Sequence, residues 1–105
     1  MKIEISTKNI DLSPSLNIYI EEKMGVLEKH VSKFELEGNL HLRVRIGRVS
    51  AHHNKGEVFE ASADMAMPGG VTLRADKTHE DLHAAIDQAR DALIQEIEKY
   101  KAKHS

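Results

Sequence analysis

The chain has no cysteine and no tryptophan, two prolines, and four aromatic side chains: Tyr19, Phe34, Phe59 and Tyr100. Without cysteine there is neither a disulfide nor a thiolate metal site. So few aromatics leave little material for stacking on nucleic-acid bases, and the core must be mostly aliphatic and methionine. No apolar run is long enough for an export signal or a membrane segment, so a cytoplasmic protein without a membrane partner is expected. An excess of positive charge is also lacking. The formal net charge is −2, so nucleic-acid binding would need a local basic patch. At 105 residues, the chain is long enough for a single domain, 1–105, with one two-layer core, and short for a catalytic cleft with a separate lid.

What is present is periodicity. Lys2-Ile3-Glu4-Ile5-Ser6 alternates polar and apolar residues, the pattern of a half-buried strand. Ser13-Pro14 then offers an N-cap and a proline at the first helical position. Leu16, Ile20, Met24, Leu27, Val31 and Phe34 predict one helix of about five turns with a single apolar stripe, ending at Gly38-Asn39. Alternation returns with Leu40, Leu42, Val44 and Ile46 on one face, and His41, Arg43 and Arg45 on the other. A polar connection, Ala51-His52-His53-Asn54-Lys55-Gly56, leads into Phe59, Ala61, Ala63, Met65 and Met67. After the Pro68-Gly69-Gly70 turn, Val71, Leu73 and Ala75 predict a short fourth strand. Thr78 with Asp81 reads as a capping box opening a final helix lined by Leu82, Ile86, Ala89, Leu93, Ile97 and Tyr100. The expected fold is α+β in the order β-α-β-β-β-α. It is a two-layer sandwich whose four-stranded sheet carries both helices on one face and leaves the other wet.

Residues 79–83 spell H-E-D-L-H, the H-E-x-x-H pattern of zinc hydrolases. On a helix His79 and His83 would share a face, with Glu80 as base for a metal-bound water. In a chain this rich in His and Glu the pattern arises by accident roughly once in twenty such sequences. No G-x-x-H extension follows, and Glu96 and Glu98 lie too far along the same helix to complete a site. The favoured reading is therefore a helix start without metal or cofactor. A zinc-dependent hydrolase through His79-Glu80-x-x-His83 is the alternative. His52-His53 reads as part of a solvated connection, because adjacent residues of an extended chain point apart.

The basic residues Lys23, Lys29, Lys33, Arg90, Lys99, Lys101 and Lys103 fall on the two predicted helices. Arg74 and Lys77 lie where the fourth strand leads into the last helix, and Lys8 closes the first strand. Glu21, Glu22, Glu28, Glu96 and Glu98 are interleaved with them at ion-pair spacing, the mark of a solvated mixed-charge surface. Phosphate binding would require the fold to gather the cations on one surface.

Asp81-Leu82-His83-Ala84-Ala85-Ile86-Asp87, preceded by Gly69-Gly70-Val71-Thr72-Leu73-Arg74-Ala75 and followed by Glu98-Lys99-Tyr100-Lys101, resembles the ribosome hibernation-promoting factor family, also called the sigma-54 modulation or ribosome-associated inhibitor family. The opening, Ile3-Glu4-Ile5 through Leu12-Ser13-Pro14-Ser15-Leu16 to Leu27-Glu28-Lys29, is similar to that family's first strand and helix, so the resemblance spans essentially the whole chain. It implies an architecture similar to a double-stranded-RNA-binding domain. It also implies a non-enzymatic translation inhibitor that binds small-subunit rRNA in the mRNA and tRNA channel and stabilises idle ribosomes. The implied partner is the small ribosomal subunit and its rRNA, with no DNA and a monomeric state. The implied rRNA contacts are Lys23, Lys99, Lys101 and Lys103, with Lys29, Arg74, Lys77 and Arg90 added by location. Longer members add a C-terminal dimerisation domain, so this chain looks like the short type or a single domain. It departs from the family pattern at Val26, Ala92 and Gln95, where Lys, Lys and Arg are common, and at His83, where Tyr is more usual. Arg43, Arg45 and Arg48 of the second strand are candidates to replace the missing cations or to mark a different docking face. A diverged module of the same fold that binds a protein through its wet sheet face is a further alternative.

Overall fold

A computed structural model describes residues 1–35, 40–49 and 58–103. The turn expected at Gly38 and Asn39, the connection at 51–56 with its His52-His53 pair, and the terminal His104 and Ser105 lie outside the described residues. The elements are β1 (Lys2–Lys8), α1 (Pro14–Gly25), α2 (Glu28–Glu35), β2 (His41–Val49), β3 (Val58–Ala66), β4 (Thr72–His79) and α3 (Leu82–Lys103). They form the expected α+β sandwich. The sheet order is β1-β2-β3-β4, with β1 parallel to β2 and the other pairs antiparallel. The parallel pair follows from the helical crossover between β1 and β2.

One side of the sheet carries the core. Ile3, Leu42, Met65 and Leu73 are register partners across the four strands, as are Ile5, Val44, Ala63 and Ala75. The helices supply Leu16, Ile20, Met24, Leu27, Val31, Phe34, Ile86, Ala89, Leu93 and Ile97, in one buried cluster with Leu42, Val44, Ala63, Met65 and Ala75, and the half-buried Ile3, Ile5 and Leu73 pack against it. The opposite face carries the alternate rows, Glu4-Arg43-Asp64-Arg74 and Ser6-Arg45-Ser62-Asp76, and among the described residues no helix packs on it.

Two local features differ from the sequence expectation. The first helix is two helices. Ser13 caps it as expected, its hydroxyl accepting from the Leu16 N–H at 3.1 Å, but regular turns stop after Gly25. There the Leu27 N–H donates to the Met24 carbonyl at 3.0 Å, a tightened three-residue turn. Gly25 is a weak helix residue and touches nothing within 4 Å at its Cβ position, so neither propensity nor packing holds the helix regular there. The apolar stripe survives the break, because Leu27, Val31 and Phe34 remain buried.

The second difference lies at the other end of the sheet. β4 extends through Thr78 and His79, which pair with Glu60 and Phe59 of β3, and α3 begins only at Leu82. Asp81 alone is the cap: its carboxylate accepts from the N–H groups of His83 at 2.9 Å and Ala84 at 3.4 Å. Thr78 is a strand residue, and the capping-box reading is corrected accordingly. The ladder to β3 satisfies backbone groups of the last β4 residues, and that outweighs the local helix-start signal.

Candidate nucleic-acid interface

The helical layer carries seven of the fifteen Lys and Arg residues: Lys23, Lys29, Lys33, Arg90, Lys99, Lys101 and Lys103. Its two halves are tied together by Tyr19 of α1, whose hydroxyl donates to the Asp87 carboxylate of α3 at 2.8 Å. The Tyr19 ring also meets His83 edge-on, with centroids 4.3 Å apart, and Lys23 holds its ammonium 5.4 Å from the same ring. Burial, the hydrogen bond to Asp87 and the charge of that carboxylate push the Tyr19 hydroxyl up to about 12, while nearby Arg90 acts in the opposite direction. Lys23 and Arg90, from different helices, are thus brought to one interhelical seam.

Further along, α2 and α3 meet where Phe34 and Tyr100 pack at 5.3 Å, with the Lys33 ammonium 5.1 Å from the Phe34 ring. His30 Nδ1 lies 3.2 Å from Glu98, which Lys101 also reaches at 3.3 Å; those two hydrogen bonds hold the Glu98 carboxyl below its ordinary range. Lys99 pairs with Glu96 at 3.6 Å and Arg90 with Asp91 at 2.9 Å. Such exposed pairs are weak, because solvent screens both charges, so a phosphate can displace the carboxylate at little cost. Among the described residues no carboxylate pairs with Lys29, Lys77 or Lys103.

Of the eight residues expected to contact RNA, six (Lys23, Lys29, Arg90, Lys99, Lys101 and Lys103) stand on the helical layer. Lys77 is on edge strand β4, in the same alternation as Leu73 and Ala75, and therefore on the helix side. Arg74 is not brought together with them. It lies on the open face, where its Nε donates to Asp64 at 2.9 Å. The alternation Leu73-Arg74-Ala75 already carried that information, because neighbours in a strand point to opposite faces. Tyr19 and Asp87, which join the helices, were not singled out in the sequence, for nothing local relates residues so far apart.

The H-E-D-L-H stretch does not form the helical pair that zinc chemistry requires. His79 belongs to β4 and its Nδ1 accepts the Asp81 N–H at 2.9 Å, whereas His83 is in the first turn of α3 against Tyr19. Among the described residues no group of three or more His, Asp or Glu side chains is arranged to hold a metal ion.

Comparison with known proteins matches residues 3–105 to the family described as Sigma 54 modulation protein / S30EA ribosomal protein. The chain belongs to this family. It is 30% identical over 101 residues to the ribosome hibernation promotion factor of Deinococcus radiodurans, covering 96% of this chain and 49% of that protein. Against the ribosome hibernation promoting factor of Pseudomonas putida the identity is 27% over 103 residues, covering 98% and 89%. This S30EA-family chain therefore spans about half of the Deinococcus relative and most of the Pseudomonas one. Its fold is that of the Thermus thermophilus Protein Y N-terminal domain, with a TM-score of 0.74, 23% identity, and 95% and 99% of the two chains covered. A ribosomal subunit interface protein from Coxiella burnetii has the same fold, with a TM-score of 0.70, 24% identity, and 97% and 99% covered.

Proposed function

We propose that this domain is a non-enzymatic ribosome hibernation factor that binds small-subunit rRNA in the channel used by mRNA and tRNA, inhibits translation and stabilises idle ribosomes. The observation that carries this reading is family membership over residues 3–105, shared with relatives named as ribosome hibernation factors. The arrangement of cations supports it. Lys23, Lys29, Arg90, Lys99, Lys101 and Lys103 stand on one helical layer, with Lys77 at its edge. Contacts from such side chains go to phosphates and read RNA by backbone and shape, which needs few aromatics. The domain acts as a monomer in the cytoplasm, with RNA rather than DNA as its partner. Among the described residues no helix is long and apolar enough to cross a membrane.

Sedimentation with purified small ribosomal subunits at low and high salt tests the proposal. The protein is expected to travel with the subunits at low salt and to leave them as salt rises. Charge reversals Lys23→Glu and Lys99→Glu are expected to weaken association and flatten its salt dependence. Absence of association even at low salt would overturn the proposal. Unchanged binding in both variants would remove the helical layer as the contact.

A further inference from the structure

The open face of the sheet carries a second set of cations, and the cross-strand register determines which of them are already neutralised. Glu4 lies 3.7 Å from Arg43 and 2.9 Å from His41 Nε2, the latter off the angle of a hydrogen bond. Asp64 is taken by Arg74 at 2.9 Å. Asp76 accepts a hydrogen bond from the hydroxyl of the buried Ser62 at 2.6 Å. Arg45 has serines, Ser6 and Ser62, as its register partners on both sides. Among the described residues neither Arg45 nor Lys8 has an ion-pair partner.

These two surplus cations flank a notch. Gly47 is the register partner of Lys8 on one side and Glu60 on the other, and its missing side chain leaves the backbone uncovered. A Cβ at this position would meet the Lys8 carbonyl at 3.4 Å and the Lys8 Cβ at 3.7 Å, ordinary van der Waals contacts, so a side chain here would fill the notch without distorting the strands. Asn9, in the left-handed region with φ of 60°, turns the chain away just beyond and lines the same cleft. Glu60 is the one carboxylate among the described lining residues and lies 3.3 Å from the Ser62 hydroxyl; Arg48 lies 5.9 Å from the Phe59 ring. A second cleft, with Arg43 and Arg74 in its walls, shares Ser6 and Arg45 with the first. The two form a trough along β1 and β2.

We infer that this trough is a second RNA-binding surface, in which Lys8 and Arg45 hold a backbone phosphate over Gly47 and Arg43, exchanging its exposed 3.7 Å contact with Glu4, holds the next one. The inference rests on the proposed ribosomal function and gives the domain RNA contacts on both faces. Arg43 and Arg45 are two residues apart on one strand, about 6.6 Å. That is comparable to the separation of neighbouring phosphates in an extended strand, so the spacing suits a continuous polyanion better than an isolated ion. Among the described residues no aromatic lines the trough, so the contact is to the backbone and carries little sequence preference.

The test uses the isotopically labelled full chain and short oligouridine at low salt, followed by NMR. The amide signals of Gly47 and Asn9 and the side-chain Nε–H of Arg45 are expected to move. In the double variant Lys8→Gln/Arg45→Gln the two amides are expected to stay still while the rest of the spectrum shows an intact fold. Signals that do not move in the native chain, or amides that move equally in the double variant, overturn the inference. So does an equal response to a polyglutamate peptide of matched charge, which would make this an acidic-protein surface. Sedimentation with small subunits separates the two ideas. The double variant is expected to lower the salt slope by about 0.7–0.9 for each phosphate that it no longer neutralises. Native protein that binds subunits with a slope unchanged in the double variant overturns the trough alone. Native protein that fails to bind subunits while oligouridine still moves Gly47 and Asn9 overturns the ribosomal reading alone.

Discussion

The hydroxyl of Tyr19 and the carboxylate of Asp87 meet at 2.8 Å across the seam between α1 and α3, joining segments 68 residues apart. The contact sets where Lys23 and Arg90 lie relative to each other, and so connects helix packing to the surface proposed to meet RNA. Tyr19→Phe keeps the ring and removes the bond, leaving Asp87 without its donor. A loss of about 1.5–3 kcal/mol is expected for a hydrogen bond to a charged group, read from urea unfolding at neutral pH. A midpoint equal to that of the native chain would mean that water replaces the hydroxyl without cost.

The same contact predicts an alkaline limit to stability. The folded state holds the Tyr19 proton up to about 12, against an ordinary value of 10.0, so it binds more protons than the unfolded chain between those values. The stabilisation is fully present below pH 10 and is lost as pH rises towards 12. In a Tyr100→Phe variant, phenolate absorbance reports Tyr19 alone and is expected to rise near pH 12. A rise near pH 10 with the fold intact would contradict the buried, hydrogen-bonded geometry.

Asp81 and Thr78 separate the observed helix cap from the one expected by local pattern. Asp81→Ala removes the side chain that accepts from the His83 and Ala84 N–H groups and is expected to cost about 1 kcal/mol. Thr78→Ala alters an exposed strand position and is expected to cost less than about 0.5 kcal/mol. Thermal unfolding of the two variants side by side decides the matter, and the reverse order would restore Thr78 as the cap.

Gly25→Ala is expected to stabilise the fold by about 0.5–1 kcal/mol, because the residue is helical and its Cβ position meets nothing within 4 Å. An increase in melting temperature checks it. A decrease would mean that the break between α1 and α2 depends on glycine at this position.

Glu98 predicts a weaker acid dependence. Hydrogen bonds from His30 and Lys101 lower its folded-state pKa, so the stabilisation is present above the ordinary carboxyl value and is lost as pH falls through the lowered one. Glu98→Gln is expected to flatten the fall in melting temperature on acidification, measured at matched ionic strength. An unchanged pH profile would show that these exposed bonds contribute nothing.

By itself the sequence determined the order of elements and nearly all of the core. Period-two alternation and three-to-four spacing report which side of each element is apolar, and burying that side is the dominant favourable term in folding. The stripe from Leu16 to Phe34 and the inward rows of β2 and β3 were legible for this reason, as was the Ser13 cap. The junction at residues 77–81 was not, because its local helix-start signal competes with a ladder to β3 that exists only once the sheet is paired. H-E-D-L-H accordingly spans a strand end, a cap and a first helical turn, which separates His79 from His83 where a helical reading had joined them. Only the tertiary structure decided which charges share a surface. It paired Arg74 with Asp64, set Tyr19 against Asp87, and left Arg45 between two serines. Register and packing bring together residues remote in sequence, and charge pairing follows distance in space.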